Sequence, residues 1–147
     1  MNPGFISGYF DLLGKCRKIY TSCLEPLCQK WGLTRNEVDV LLFLYNNPDY
    51  DRAADIVSHR GMAKSHVSMS VANMEQRNLL ERHFSETDRR TAHLILTETG
   101  RQIAQEGKAL QDTFFAWLYR DITEEELFLW EKIHEKIRSN ANCTDRV

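Results

Sequence analysis

The sequence predicts a mainly α fold (α with a small β-wing), built as a helix-turn-helix core with long helices at both ends. Three observations carry this. A short helical pattern over 51–59 breaks at Gly61 and a second helix rich in small polar residues follows. Two strand-like runs, Leu79–Glu86 and Ala92–Leu96, then flank a charged turn, Thr87-Asp88-Arg89-Arg90-Thr91. Finally, apolar residues recur at helical spacing over about 25 residues at the N-terminus and 40 at the C-terminus.

The first helix is expected from about Phe5 to Lys30. Ile6, Phe10, Leu13, Cys16, Tyr20, Cys23, Leu27 and Trp31 form its stripe, in steps of three and four. Pro26 should kink it or split off a short last segment, and Gly32 should end it. The second helix opens with the capping box Thr34-x-x-Glu37 and runs to about Tyr45, before Asn46-Asn47-Pro48. Val38, Val40, Leu41, Leu42, Phe43 and Leu44 leave it no fully polar face, so it should be the buried centre. The third helix, Arg52 to His59, turns Ala53, Ile56 and Val57 inward, with Asp51 as its expected cap. The fourth, about Lys64 to Arg77, buries Val67, Val71 and Met74 and exposes Ser65, His66, Ser68, Met69 and Asn73. After the hairpin, a fifth helix runs from Thr97 to about Tyr119 on the stripe Ile103, Gly107, Leu110, Phe114, Leu118. A second capping box, Thr123-x-x-Glu126, opens a sixth on Leu127, Trp130, Ile133 and Ile137, and the polar stretch 139–147 should fray.

At 147 residues, 42% of them hydrophobic and 27% charged, the chain suits one globular domain, residues 1–147. Within it, 33–97 is the helix-turn-helix and wing. Residues 5–31 and 98–139 carry more apolar surface than one copy can cover, so they are expected to be dimerisation helices. The stripe residues assigned to that interface are Ile6, Phe10, Leu13, Phe114, Leu118, Leu127 and Trp130. Charged residues interrupt every apolar run, and Met1–Ile6 has no basic n-region, so the expectation is a cytoplasmic chain without signal sequence or membrane span. Cys16, Cys23, Cys28 and Cys143 form no C-x-x-C pair and read as reduced thiols; the first three should pack as small hydrophobes. The five histidines show no i, i+4 pair, so no metal site and no cofactor are expected.

A helix-turn-helix with a hairpin beside it has a common physical use, a helix in the DNA major groove and a hairpin tip on the backbone or minor groove. The formal net charge of −2 is not the footprint of a wholly basic domain, but its distribution is uneven. Residues 58–92 hold six Lys/Arg against four acids, while the remainder is net negative. Ser65 and Ser68 would let the fourth helix approach base edges. His66 can exchange hydrogen bonds there, and Met69 can meet a thymine methyl. Ala63 is a poor N-cap, which leaves the first-turn N–H groups and Lys64 suited to a phosphate. The same polar face is also met on ordinary solvated helices. Arg89 and Arg90 at the hairpin tip suit a narrow minor groove, with Asp88 holding Arg90 as a charge-assisted pair; a hairpin kept soluble by its charges reads similarly.

From about Phe10 to Asn140 the chain resembles the MarR family of winged helix-turn-helix transcription regulators. The resemblance rests on Leu33-Thr34, Ala53-Ala54-Asp55-Ile56 and Lys64-Ser65-His66-Val67-Ser68. Gln76-Arg77-Asn78-Leu79-Leu80-Glu81-Arg82, Asp88-Arg89-Arg90-Thr91 and Leu96-Thr97-Glu98-Thr99-Gly100 complete it, in this order and spacing. It implies major-groove contacts by Ser65, His66, Ser68 and Met69 and a minor-groove contact by Arg90. Asp88 and Arg90 match the family's D-x-R wing signature. Met69 departs from the family, many members of which carry Arg there. The resemblance also implies a small-molecule effector in a crevice between helices one, two and five. Oxidant-sensing members carry a reactive cysteine on the first helix, but here only Phe10 falls near that slot.

The function these readings favour is a sequence-specific DNA-binding transcription regulator. It is expected to be a ligand-responsive repressor on a pseudo-palindromic operator, with double-stranded DNA and a second copy of itself as partners. The alternative is a ligand or protein-interaction module that keeps the winged helix without reading DNA. No Gly-rich phosphate loop, no G-x-S-x-G and no catalytic dyad marks an enzyme.

Overall fold

The structure, a computed structural model, describes residues 3–84 and 91–142. Asp88, Arg89, Arg90 and Cys143 lie outside the described residues. The elements are α1 (Pro3–Trp31), α2 (Arg35–Asn46), α3 (Ala53–Arg60), α4 (Lys64–Gln76), β1 (Leu80–Phe84), β2 (Ala92–Leu96), α5 (Glu98–Leu118) and α6 (Glu124–Asn142). β1 and β2 pair antiparallel, from Leu80 opposite Leu96 to Phe84 opposite Ala92. The chain forms two compact units, Met1–Phe114 and Phe115–Val147.

In the first unit α2 is the centre, as its lack of a polar face predicts. Val38, Val40, Leu41 and Leu42 are fully buried with Leu24 of α1, Ile56 of α3, Val67 and Met74 of α4 and Ile103 of α5. The Thr34–Glu37 capping box forms as read from the sequence. α1 closes with Gly32 at φ 58°, its N–H bonded to Gln29 O and that of Leu33 to Cys28 O. This left-handed closure gives a helix's last carbonyls partners at little steric cost when the residue is glycine. Asn78, at φ 56°, ends α4 in the same way, with Leu79 N donating to Met74 O.

Three local expectations differ from the structure. Pro26 lies inside α1, which continues through it without splitting. Asp51 does not cap α3. Its carbonyl accepts the Leu94 N–H at 2.7 Å and its carboxylate meets His93 Nδ1 at 2.8 Å, fastening β2 to the start of α3. The N-cap is Arg52, whose backbone N–H donates to the Asp55 carboxylate at 3.1 Å while its guanidinium holds the same group. That guanidinium hydrogen bond keeps the Asp55 carboxyl below its ordinary range. The polar C-terminal stretch remains helical as far as Asn142.

Two glycines of α5 permit close approach. A Cβ on Gly100 would stand 2.0 Å from the carbonyl oxygen of Leu79, and one on Gly107 would stand 2.9 Å from the Leu42 side chain. In the second unit α6 opens with its capping box, the Glu126 N–H donating to Thr123 Oγ1 at 3.3 Å and the Thr123 N–H to the Glu126 carboxylate at 2.9 Å. No residue of α6 is buried.

Candidate nucleic-acid interface

α4 is placed by its apolar side. Val67, Ser70, Val71 and Met74 are buried, which turns Lys64, Ser65, His66, Ser68, Met69 and Asn73 outward together; Met69 is 58% exposed. The N-cap of the helix is Ala63, which makes no side-chain cap hydrogen bond, so no capping side chain covers the first-turn N–H groups at the positive end of the helix dipole. Asn73 differs from the other five. Its Nδ2 donates at 3.3 Å to Glu37, a carboxylate only 4% exposed that also takes the Thr34 N–H at 2.8 Å. The capping-box pattern located Glu37 in the sequence, yet its hold on α4 is tertiary and leaves no sequence signal.

The described part of the hairpin is braced to the same helix, Arg82 Nε meeting the Glu75 carboxylate at 3.1 Å. The expected tip residues Asp88, Arg89 and Arg90 fall outside the described residues.

Beside the N-terminus of α4 lies a cavity of about 540 Å³. It is lined by Arg17 and Tyr20 of α1, Arg35, Asn36 and Asp39 of α2, Arg60 to Ala63, and His66. Arg35 stacks 4.8 Å from the Tyr20 ring centroid and donates from Nε to Asp39 at 3.1 Å; Arg60 approaches the other Asp39 oxygen at 3.5 Å. Arg35 Nη1 and Asp39 Oδ1 are buried with no hydrogen-bond partner among the described residues. Arginines scattered over three elements carry no spacing signal, so the sequence did not mark this site. Where α1, α2 and α5 meet, Tyr20, Asn46, Gln111 and Phe114 contact one another. Gln111 donates to the Tyr20 hydroxyl and accepts from Asn46 Nδ2 at 2.9 Å, and Phe114 packs on Tyr20 with centroids 5.2 Å apart.

Of the residues assigned to dimerisation, Ile6, Phe10, Leu13 and Trp130 are exposed, Phe10 at 67%, and Leu118 and Leu127 are half-buried. Phe114 is only 6% exposed, covered within its own chain. Cys23 is half-buried and donates to Leu110 O at 3.5 Å. Cys28 is buried, and that burial pushes its thiol pKa up, away from the reactive thiolate. Among the described residues no helix is long and apolar enough to cross a membrane, and no group of three or more His, Cys, Asp or Glu could hold a metal.

A two-stranded wing beside an outward-facing second helix defines a winged helix-turn-helix fold. Residues 31–91 match the model of the MarR family. Solved structures share its fold. A putative MarR family regulator from Listeria monocytogenes, complexed with a 26mer DNA, is 16% identical and matches with a TM-score of 0.79, over 90% of this chain and 87% of its own. MepR of S. aureus, in a DNA complex, is 19% identical at a TM-score of 0.73, over 92% and 96%. CouR from Rhodococcus jostii, bound to p-coumaroyl-CoA, is 20% identical at 0.71, over 92% and 93%. No curated protein matches the sequence.

Proposed function

We propose that the protein is a cytoplasmic, ligand-responsive repressor that binds a pseudo-palindromic operator as a homodimer. One observation carries the DNA reading: α4 turns Ser65, His66, Ser68 and Met69 outward from a fully packed opposite face, with an N-terminus that no side chain caps. Small hydroxyl side chains let a helix backbone approach base edges, and Lys64 with the free N–H groups suits a phosphate. Arg89 and Arg90, with Asp88 beside them, are assigned to the minor groove on the wing signature alone. The two solved relatives reported with DNA support this use of the fold. The test is Ser65→Ala, His66→Ala and Ser68→Ala on a duplex selected by the wild type from a random pool. Each should lose roughly 1–3 kcal/mol on that duplex and little on a scrambled one at the same salt. Equal loss on both would mean that α4 does not read sequence.

The ligand response rests on the cavity beside α4. Three arginines against one aspartate, with a buried guanidinium donor left unpaired, favour a small organic anion. CouR, of the same fold, is bound to p-coumaroyl-CoA. Because Ala63 and His66 line both the cavity and the start of α4, an anion there sets negative charge beside the approach of a DNA phosphate. Aromatic carboxylates should therefore release the selected duplex while their methyl esters do not, and Arg35→Gln should remove that difference. Release by acids and esters alike would place the effector elsewhere.

A further inference from the structure

Arg77 sits at the C-cap of α4 with an exposed side chain. An exposed arginine next to a reader helix is ordinarily a candidate phosphate contact. Here both arms of the guanidinium are committed inside the chain. Nη1 donates to Gly32 O at 2.8 Å and Nη2 to Trp31 O at 2.7 Å. Those carbonyls end α1, where the helix has no further N–H groups to offer and the dipole favours a cation. A planar fork meets two adjacent carbonyls at once, which an ammonium cannot do with the same geometry.

The same end of α1 is tied to α5. Trp31 Nε1 donates to the Glu106 carboxylate at 3.1 Å and Lys30 Nζ reaches it at 2.8 Å. Four residues further from the N-terminus than Asn73, which Glu37 holds, Arg77 gives α4 a second polar tie to the segment 31–37. Two ties fix the direction of a helix where one leaves a pivot.

We infer that Arg77 is a positioning residue for DNA reading: it sets the angle of α4 by capping the C-terminus of α1, and it makes no phosphate contact. The inference rests on the reading of α4 as the helix that meets DNA.

The experiment compares full-length wild type with Arg77→Gln and Arg77→Lys in two measurements. The first is affinity, over a salt series, for the duplex that the wild type selects from a random pool and for a scrambled duplex of equal length. Arg77→Gln should bind the selected duplex at least tenfold more weakly and the scrambled one almost unchanged, with the slope of log K against log salt kept. Arg77→Lys, which retains charge and stem and so guards against misfolding, should not restore the discrimination. Equal loss on both duplexes with the slope lowered by about one unit identifies a phosphate contact and overturns the inference. So does unchanged affinity on both.

The second measurement is amide hydrogen exchange without DNA. Exchange should quicken in α4 and at residues 31–33 in both variants, and stay unchanged in the rest of the first unit. Unchanged exchange in α4 overturns the inference whatever the DNA results are. If the wild type selects no duplex, the DNA reading fails while exchange still judges the tie.

Discussion

Single atoms decide several positions. At Gly100 the obstacle to a Cβ is the Leu79 carbonyl, a backbone atom 2.0 Å away, whereas at Gly107 it is the end of the Leu42 side chain at 2.9 Å. Backbone cannot yield without moving β1, while a leucine tip can rotate. Gly100→Ala should therefore lose about 1–3 kcal/mol or more by overpacking. Gly107→Ala should stay within about 1 kcal/mol of wild type, because relief of glycine's helix penalty offsets the tighter fit. Urea midpoints at constant m-value measure both, and equal shifts would refute the distinction. Neither glycine was separable by sequence, since each occupies an ordinary helical position. The Asp51 cap failed for a related reason. Local pattern puts Asp51 before a helix, but its carboxylate is taken by His93, 42 residues away in the chain. Its neighbour Asp55 reaches back to the Arg52 N–H in its place.

Elements were legible where their signal is local. Capping boxes at Thr34 and Thr123, the Gly32 stop and the apolar stripes all lie within a few residues of the structure they specify. The ties between elements were not legible, because a hydrogen bond between distant segments has no spacing. Glu106 illustrates this. Its hydrogen bond from Lys30, and then that from Trp31, hold its carboxyl below the usual glutamate range. A group whose pKa falls on folding stabilises the native state above its unfolded value, near 4.3, and that contribution is lost as pH drops through the lowered folded value. The stability difference between wild type and Glu106→Gln should be constant above about pH 5 and shrink as pH falls below about 4. With Lys30 well exposed the difference is small, so paired chemical denaturation across pH is the suitable measurement. A difference that stays flat from neutral to acid pH would show that the carboxylate gains nothing from its partners.

For the whole molecule, what one chain leaves uncovered is the guide. α1 exposes Ile6, Phe10 and Leu13, and α6 exposes Phe128, Leu129, Trp130, Ile133 and Ile137. The sequence stripes named Ile6, Phe10, Leu13, Trp130, Ile133 and Ile137 among these but neither Phe128 nor Leu129. They also included Phe114, which the Tyr20 ring covers within the chain and which sequence period cannot distinguish from its neighbours. Apolar side chains in such number are unfavourable in water, and interlocking with a second copy is the symmetric way to bury them. The expected interface exceeds about 2,000 Å², large enough that folding and dimerisation go together. Sedimentation at micromolar concentration should therefore find a dimer, and a well-folded monomer would contradict it. Two copies of α4 should then lie about 34 Å apart, one turn of B-DNA, so that a selected duplex is an approximate palindrome. Ending the chain after Tyr119 removes α6 while leaving Met1–Phe114 complete. If α6 supplies part of the dimer, this variant should be monomeric. It should also lose most of its affinity for the full palindrome, because one half-site gives too few phosphate contacts to hold at physiological salt. A truncated protein that still sediments as a dimer and binds the full palindrome would place the interface on α1 and α5 without α6.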